Sequence, residues 1–105
     1  MSIPRTFLDL FGHPIELTAE RWLHVLEEHQ ELQAFEHLIP ATLRNPDLIT
    51  RSVYDPMTRL YYKWFSALWH GKYFVVVVHS GVRYTVLTAY LTHKIKGGEQ
   101  LWPSN

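Results

Sequence analysis

Glu20, His24 and Glu28 recur every fourth residue, so on a helix they share one side, with Arg21 on the flank beside His24 and Glu28. A histidine between carboxylates holds its proton more tightly, which suits a general acid. The same spacing also serves an ordinary solvated helix face, where such pairs contribute only about 0.2–0.5 kcal/mol each. His29 falls on the apolar side of the same stretch, with Trp22, Val25 and Leu26. There it is either a core residue with its nitrogens bonded to backbone or a group looking across to a sheet from the helix end. Zinc is not expected. His24 and His29 stand about 140° apart around a helix and cannot chelate as an i, i+4 pair. His13, His37, His70, His79 and His93 show no ligand spacing, and the chain has no cysteine. No GxxxxGK[ST] or GxGxxG phosphate loop and no GxSxG elbow is present, so no cofactor is expected either.

The elements that must carry these residues follow from periodicity and punctuation. Arg5 to Phe11 reads as a short edge strand, Gly12-His13-Pro14 as a turn, and Ile15 to Leu17 as a second short strand. Thr18 is suited to cap a helix from Ala19 to Gln30, with Glu20 in its first turn. A second helical segment runs from Glu31 to Arg44. Pro40 should kink or break it, because an interior proline costs ~3 kcal/mol. Strands follow at Leu48–Tyr54, Thr58–Phe65, Tyr73–His79 and Arg83–Thr92, and then a tail holding Lys94, Lys96, Gly97, Gly98 and Trp102. Tyr73 to His79 is nearly all apolar, as expected of a central strand covered on both faces. The expected fold class is α+β, with N-terminal helices packed on one face of a roughly four-stranded antiparallel sheet. In the last strand, alternation directs Thr85, Leu87, Ala89 and Leu91 toward the helices, against Trp22, Val25 and Leu26. Tyr84, Val86, Thr88, Tyr90 and Thr92 then line the opposite face, as a working surface or as an ordinary Tyr/Thr-rich strand face.

The 105 residues fit one domain, and the hydrophobic content of 47%, with 14% aromatic, supplies enough apolar surface for a core. Ten basic and ten acidic residues balance, so the chain lacks the overall basic excess of many nucleic-acid binders; charge segregated by face would still permit RNA. The absence of cysteine excludes thiol catalysis and disulfides and fits a reducing compartment. No basic-then-apolar leader is visible, and the apolar run at Tyr73–Val78 is too short to span a bilayer. A cytoplasmic location without membrane association is expected.

Three segments carry more together than singly: Leu17-Thr-Ala-Glu-Arg-Trp-Leu-His24 with His29; Asn45-Pro-Asp47 with Arg51-Ser52; and Val86-Leu-Thr-Ala-Tyr-Leu-Thr92 with Lys94-Ile-Lys96-Gly-Gly and Trp102. In this order and spacing the chain, over almost its whole length, resembles a family of small bacterial and phage-associated proteins of the barnase–EndoU–colicin–RelE-like nuclease superfamily. The resemblance implies metal-independent RNA cleavage by attack of the 2′-hydroxyl on the adjacent phosphate. The matching site positions are Arg21, His24 and His29 on the helix and Thr88 and Tyr90 on the final strand, with Arg51 and Tyr61 as further substrate contacts. Histidines would supply base and acid, Arg21 or Arg51 would stabilise the phosphorane charge, and Tyr90 or Tyr61 would stack an unpaired base. The partner implied is RNA, together with an antitoxin protein or the ribosome if the chain is the toxin of a toxin–antitoxin or phage-conflict system. Two other readings stand beside it: a non-catalytic module binding RNA or protein on the same scaffold, and a structural or regulatory dimer built on exposed sheet aromatics.

Overall fold

Residues 5–104, described by a computed structural model, fold as α+β on a mixed sheet of seven strands rather than four. The elements are β1 (Arg5–Leu8), β2 (Pro14–Leu17), α1 (Ala19–Glu28), a 3₁₀ segment (Gln30–Phe35), α2 (Leu38–Arg44), β3 (Leu48–Arg51), β4 (Thr58–Phe65), β5 (Lys72–Ser80), β6 (Tyr84–Thr92) and β7 (Gln100–Trp102). The strand order is β1-β2-β6-β5-β4-β3-β7. The expected antiparallel four, β3 to β6, form its centre. Two additions correct the four-stranded expectation. The N-terminal hairpin joins the sheet through a short parallel pairing of Ile15 and Glu16 with Tyr84 and Thr85. The tail supplies β7, antiparallel to β3 at the far edge.

Thr18 caps α1 as its residue type suggests: its backbone is extended, and its Oγ1 accepts the Arg21 N–H at 3.1 Å. The second helical segment is broken, not continuous. Its first part tightens to 3₁₀, and Pro40 lies in the first turn of α2, where the missing N–H has no intrahelical partner to lose. Trp22, Val25, Leu32, Ile39 and Leu43 bring the helices onto one sheet face, against Tyr61, Phe74, Val76, Val78 and Ala89. Leu60, Tyr62 and Val75 form a smaller apolar cluster on the other face. The unbroken apolar run of β5 thus reflects cover on both sides, Phe74, Val76 and Val78 facing one way and Val75 the other.

The cover on the second face is the chain itself. Residues 93–99 leave β6 and cross the sheet to reach β7. The Lys96 N–H donates to Tyr62 Oη (3.1 Å) and the Arg51 N–H to the Glu99 carbonyl (2.8 Å). Gly98 lies so close to β3, at φ +141°, that a Cβ would collide with the Arg51 carbonyl. Among the described residues no helix is long and apolar enough to cross a membrane.

Strict alternation fails in β6. Val77 pairs with Thr88 and Val78 with Val86, which leaves Leu87 as the extra residue of a β-bulge. The bulge turns Tyr84 and Val86, expected on the opposite face, into the helix-side core, while Ala89 and Leu91 stay there as expected. Leu87, expected in the core, is only half-buried. Leu87→Ala should therefore cost under about 1 kcal/mol, well below the ~2–5 kcal/mol of a buried leucine, and Val86→Ala should cost more despite removing fewer atoms. Urea unfolding of the two variants orders them; a costlier Leu87→Ala would contradict the bulge.

Candidate functional site

α1 lies beside the second half of β6, beyond the point where β2 stops pairing. Trp22 and Val25 are buried in the shared core, and this anchoring fixes the roll of the helix. Its next flank then borders an open groove of about 550 Å³. Arg21, His24, Glu28 and His29 form the helical wall; Leu87, Thr88, Tyr90 and Leu91 form the strand wall, and Lys96 reaches in from the crossing segment. Five of the residues singled out from the sequence, Arg21, His24, His29, Thr88 and Tyr90, thus border one space.

His24 is half-exposed, its Nε2 3.3 Å from Glu28 Oε1 and its Nδ1 4.0 Å from Glu27 Oε2. His29 is the C-cap of α1, its N–H donating to the Val25 carbonyl at 2.8 Å. Its ring is not a core residue. It is one-third exposed and looks across to Tyr90, with ring centroids 6.5 Å apart, while Nδ1 lies 3.7 Å from Glu31 Oε2. Lys96 Nζ sits 5.2 Å from the centre of the Tyr90 ring. With both imidazoles neutral, the groove walls carry two cations, Arg21 and Lys96, against the carboxylate of Glu28.

The Tyr90 hydroxyl is buried without a hydrogen-bond partner. Burial raises its pKa above the ordinary phenol value, and the Tyr62 phenol nearby adds to the effect. Tyr61 is raised as well, by burial first and then by its hydrogen bond to Asp9; the Arg59 guanidinium acts in the opposite direction. Both phenols thus stay protonated in the fold at pH values where the unfolded chain ionises them. Their contribution to stability is complete below about pH 10 and is lost as pH rises from there toward the folded values. Urea midpoints should fall between pH 10 and 11.5. Tyr61→Phe and Tyr90→Phe should each remove a late-ionising phenol from the absorbance titration; if both phenols ionise with free tyrosine, the account of their burial is wrong.

Two sequence candidates lie elsewhere. Arg51 is on β3, three strands from β6, where its Nε pairs with Glu99 Oε1 (3.0 Å) and an Nη donates to the Pro56 carbonyl (3.1 Å). It fastens the tail and does not enter the groove. Tyr61 is fully buried under the helices, its Oη donating to Asp9 Oδ2 at 2.6 Å, so no base can stack on it.

Sequence reasoning passed over Lys96 as a groove residue and missed a cluster around Asp9 altogether. The Asp9 side chain is fully buried. Its Oδ1 accepts the N–H groups of Phe11 and His13 (3.0 and 2.8 Å), and its Oδ2 meets Tyr61 Oη and His13 Nδ1 (3.3 Å). The His13 ring stacks on Tyr84 at 4.5 Å, and Arg59 lies over the same Tyr84 ring. An aspartate just ahead of Gly12-His13-Pro14 was the available signal, since Asp habitually accepts the N–H two residues on. The Tyr61 partner, 52 positions away, had none. Every Asp9 oxygen is engaged within the protein, so the cluster ties the N-terminal turn to β4.

Among the described residues no three His, Asp or Glu side chains are grouped as metal ligands. Two imidazoles and two cations around one open groove can move protons and balance charge on a phosphate without a metal ion. No family model, curated protein or solved structure matches the chain.

Proposed function

We propose that the groove between α1 and β6 cleaves RNA by metal-independent transesterification. The 2′-hydroxyl loses its proton to one imidazole and attacks the adjacent phosphorus. The P–O5′ bond breaks, and the second imidazole protonates the leaving 5′-oxygen, which yields a 2′,3′-cyclic phosphate and a 5′-hydroxyl. His24 and His29 are the two imidazoles. Arg21 and Lys96 neutralise the phosphorane oxygens. Thr88 offers a hydroxyl to the phosphate or ribose, and Tyr90 an aromatic edge to a base. The observation that carries this reading is the common groove shared by Arg21, His24, His29, Thr88 and Tyr90, residues up to 69 positions apart in the chain. In a toxin–antitoxin or phage-conflict setting, an antitoxin would act by covering this groove.

The test is incubation of purified protein with structured and single-stranded RNA, alone and with ribosomes, with and without EDTA. The expected result is cleavage indifferent to EDTA and products ending in 2′,3′-cyclic phosphate. The second reading, a binding module on the same scaffold, is favoured by Glu28, whose carboxylate beside His24 offsets part of the groove's positive charge. RNA left intact but bound, with an affinity falling steeply with salt, would establish that reading instead.

A further inference from the structure

The groove does not end at β6. Thr88, Tyr90 and Lys96 also border a second depression of about 220 Å³ on the sheet face away from the helices. Its floor is apolar, with Leu60 and Val77 from the two central strands, and Tyr54 stands at the far lip, in the turn between β3 and β4. Strands lie ~4.8 Å apart, so β6 to β3 spans ~14 Å, a length suited to a short oligonucleotide rather than to one nucleotide.

Tyr54 is a ring that the fold leaves uncovered, at 92% exposure, on a backbone that is firmly held. Its N–H donates to Ser52 Oγ (3.1 Å), and the Ser52 N–H to the Thr58 carbonyl (2.8 Å). Asp55 closes the turn by accepting the Met57 N–H (3.0 Å) and the Thr58 hydroxyl (2.8 Å). A large aromatic group on a pre-set turn, above an apolar floor and across from a lysine, is the arrangement that holds an unpaired base by stacking while a cation holds its phosphate.

On the reading that the α1–β6 groove cleaves RNA, we propose that the second depression is a subsite for a nucleotide beyond the two that the scissile bond joins. Its base lies on Tyr54 over Leu60 and Val77, and Lys96, which borders both spaces, marks the junction between this subsite and the reacting centre. The occupant is single-stranded RNA, because a base paired in a duplex cannot be laid into the depression. Leu60 and Val77 present no donor or acceptor to a base edge, so contact with them does not distinguish one base from another, and the subsite raises affinity with chain length.

The test is a kcat/KM series over single-stranded oligoribonucleotides from two to six residues. Wild-type protein should favour the hexamer over the dimer. Tyr54→Ala should lower hexamer kcat/KM roughly 5–100-fold, through KM, and leave the dimer unchanged; Tyr54→Phe should restore the wild-type value. Equal effects on dimer and hexamer, or none, would overturn the subsite while leaving the cleavage reading in place. If wild-type protein cleaves no RNA, the cleavage reading fails by itself. Fluorescence anisotropy with the labelled hexamer then decides the track: weaker binding by Tyr54→Ala supports it, and equal binding or none refutes it. Tyr54 makes no core contact, so the variant should keep the wild-type Tm.

Discussion

Asp9→Ala should lower the unfolding free energy by about 3–5 kcal/mol, the range seen when one member of a buried charged or hydrogen-bonded set is removed. The carboxyl group accepts four hydrogen bonds at zero exposure, two from backbone N–H groups and two from the side chains of Tyr61 and His13. Truncation strands the buried Tyr61 hydroxyl, at a cost of ~1–3 kcal/mol before relaxation, and also takes the acceptor from the two part-buried turn N–H groups. Tyr61→Phe deletes only one donor and leaves Asp9 three others, so it should cost less, about 1.5–3 kcal/mol. A domain of this size holds only ~5–15 kcal/mol in total, so Asp9→Ala should visibly shift the urea midpoint and loosen the N-terminal hairpin first. A cost below about 1 kcal/mol, with unchanged amide protection at Phe11 and His13, would show that the cluster ties nothing together.

The parts of the fold that could be read in advance have local causes. Thr18 caps its own helix, Trp22 and Val25 repeat at helical spacing, Pro40 interrupts the second helical segment by lacking an N–H, and the run Phe74–Val78 is apolar on both faces. What escaped has long-range causes. β7 is three residues long and exists because β3 offers a free edge, so no periodicity marks it. The bulge at Leu87 arises from the register between two strands whose sequences, valine-rich on one and Val-Leu-Thr on the other, fit several alignments equally well. That single residue reversed the faces of Tyr84 and Val86.

The candidate site shows the same division. The resemblance implies site residues on α1 and in the second half of β6, and the fold brings them together across the groove. Tyr61 and Tyr62 are adjacent, chemically alike and on opposite faces: one meets Asp9 in the core, and the other accepts the Lys96 N–H under the crossing segment. Nothing local distinguishes them. Lys96 becomes a groove residue only because the tail crosses back over the sheet.

His24→Ala and His29→Ala should each reduce RNA cleavage by roughly 10²–10⁴-fold, the range for loss of a general acid or base. Their structural costs differ, and this separates chemistry from folding. His24 is half-exposed, and its contacts are to the exposed carboxylates of Glu27 and Glu28, so its removal should leave stability within about 0.5 kcal/mol. A large loss of activity at unchanged Tm is therefore the clean signature at this position. His29 caps α1 through its backbone, which alanine preserves, but its ring shields one side of Tyr90. Its variant needs a parallel melting curve, and His29→Gln, which keeps a polar side chain of similar reach, should be as inactive as the alanine if proton transfer is the lost function. Wild-type kcat/KM should follow a bell-shaped pH profile with limbs from two groups, and each variant should lose one limb. Activity within about threefold of wild type in either alanine variant would remove that histidine from the acid–base pair. If both variants were this active, the groove would still be able to bind RNA, through Arg21, Lys96 and Tyr90, but the cleavage chemistry would have to come from elsewhere in the molecule.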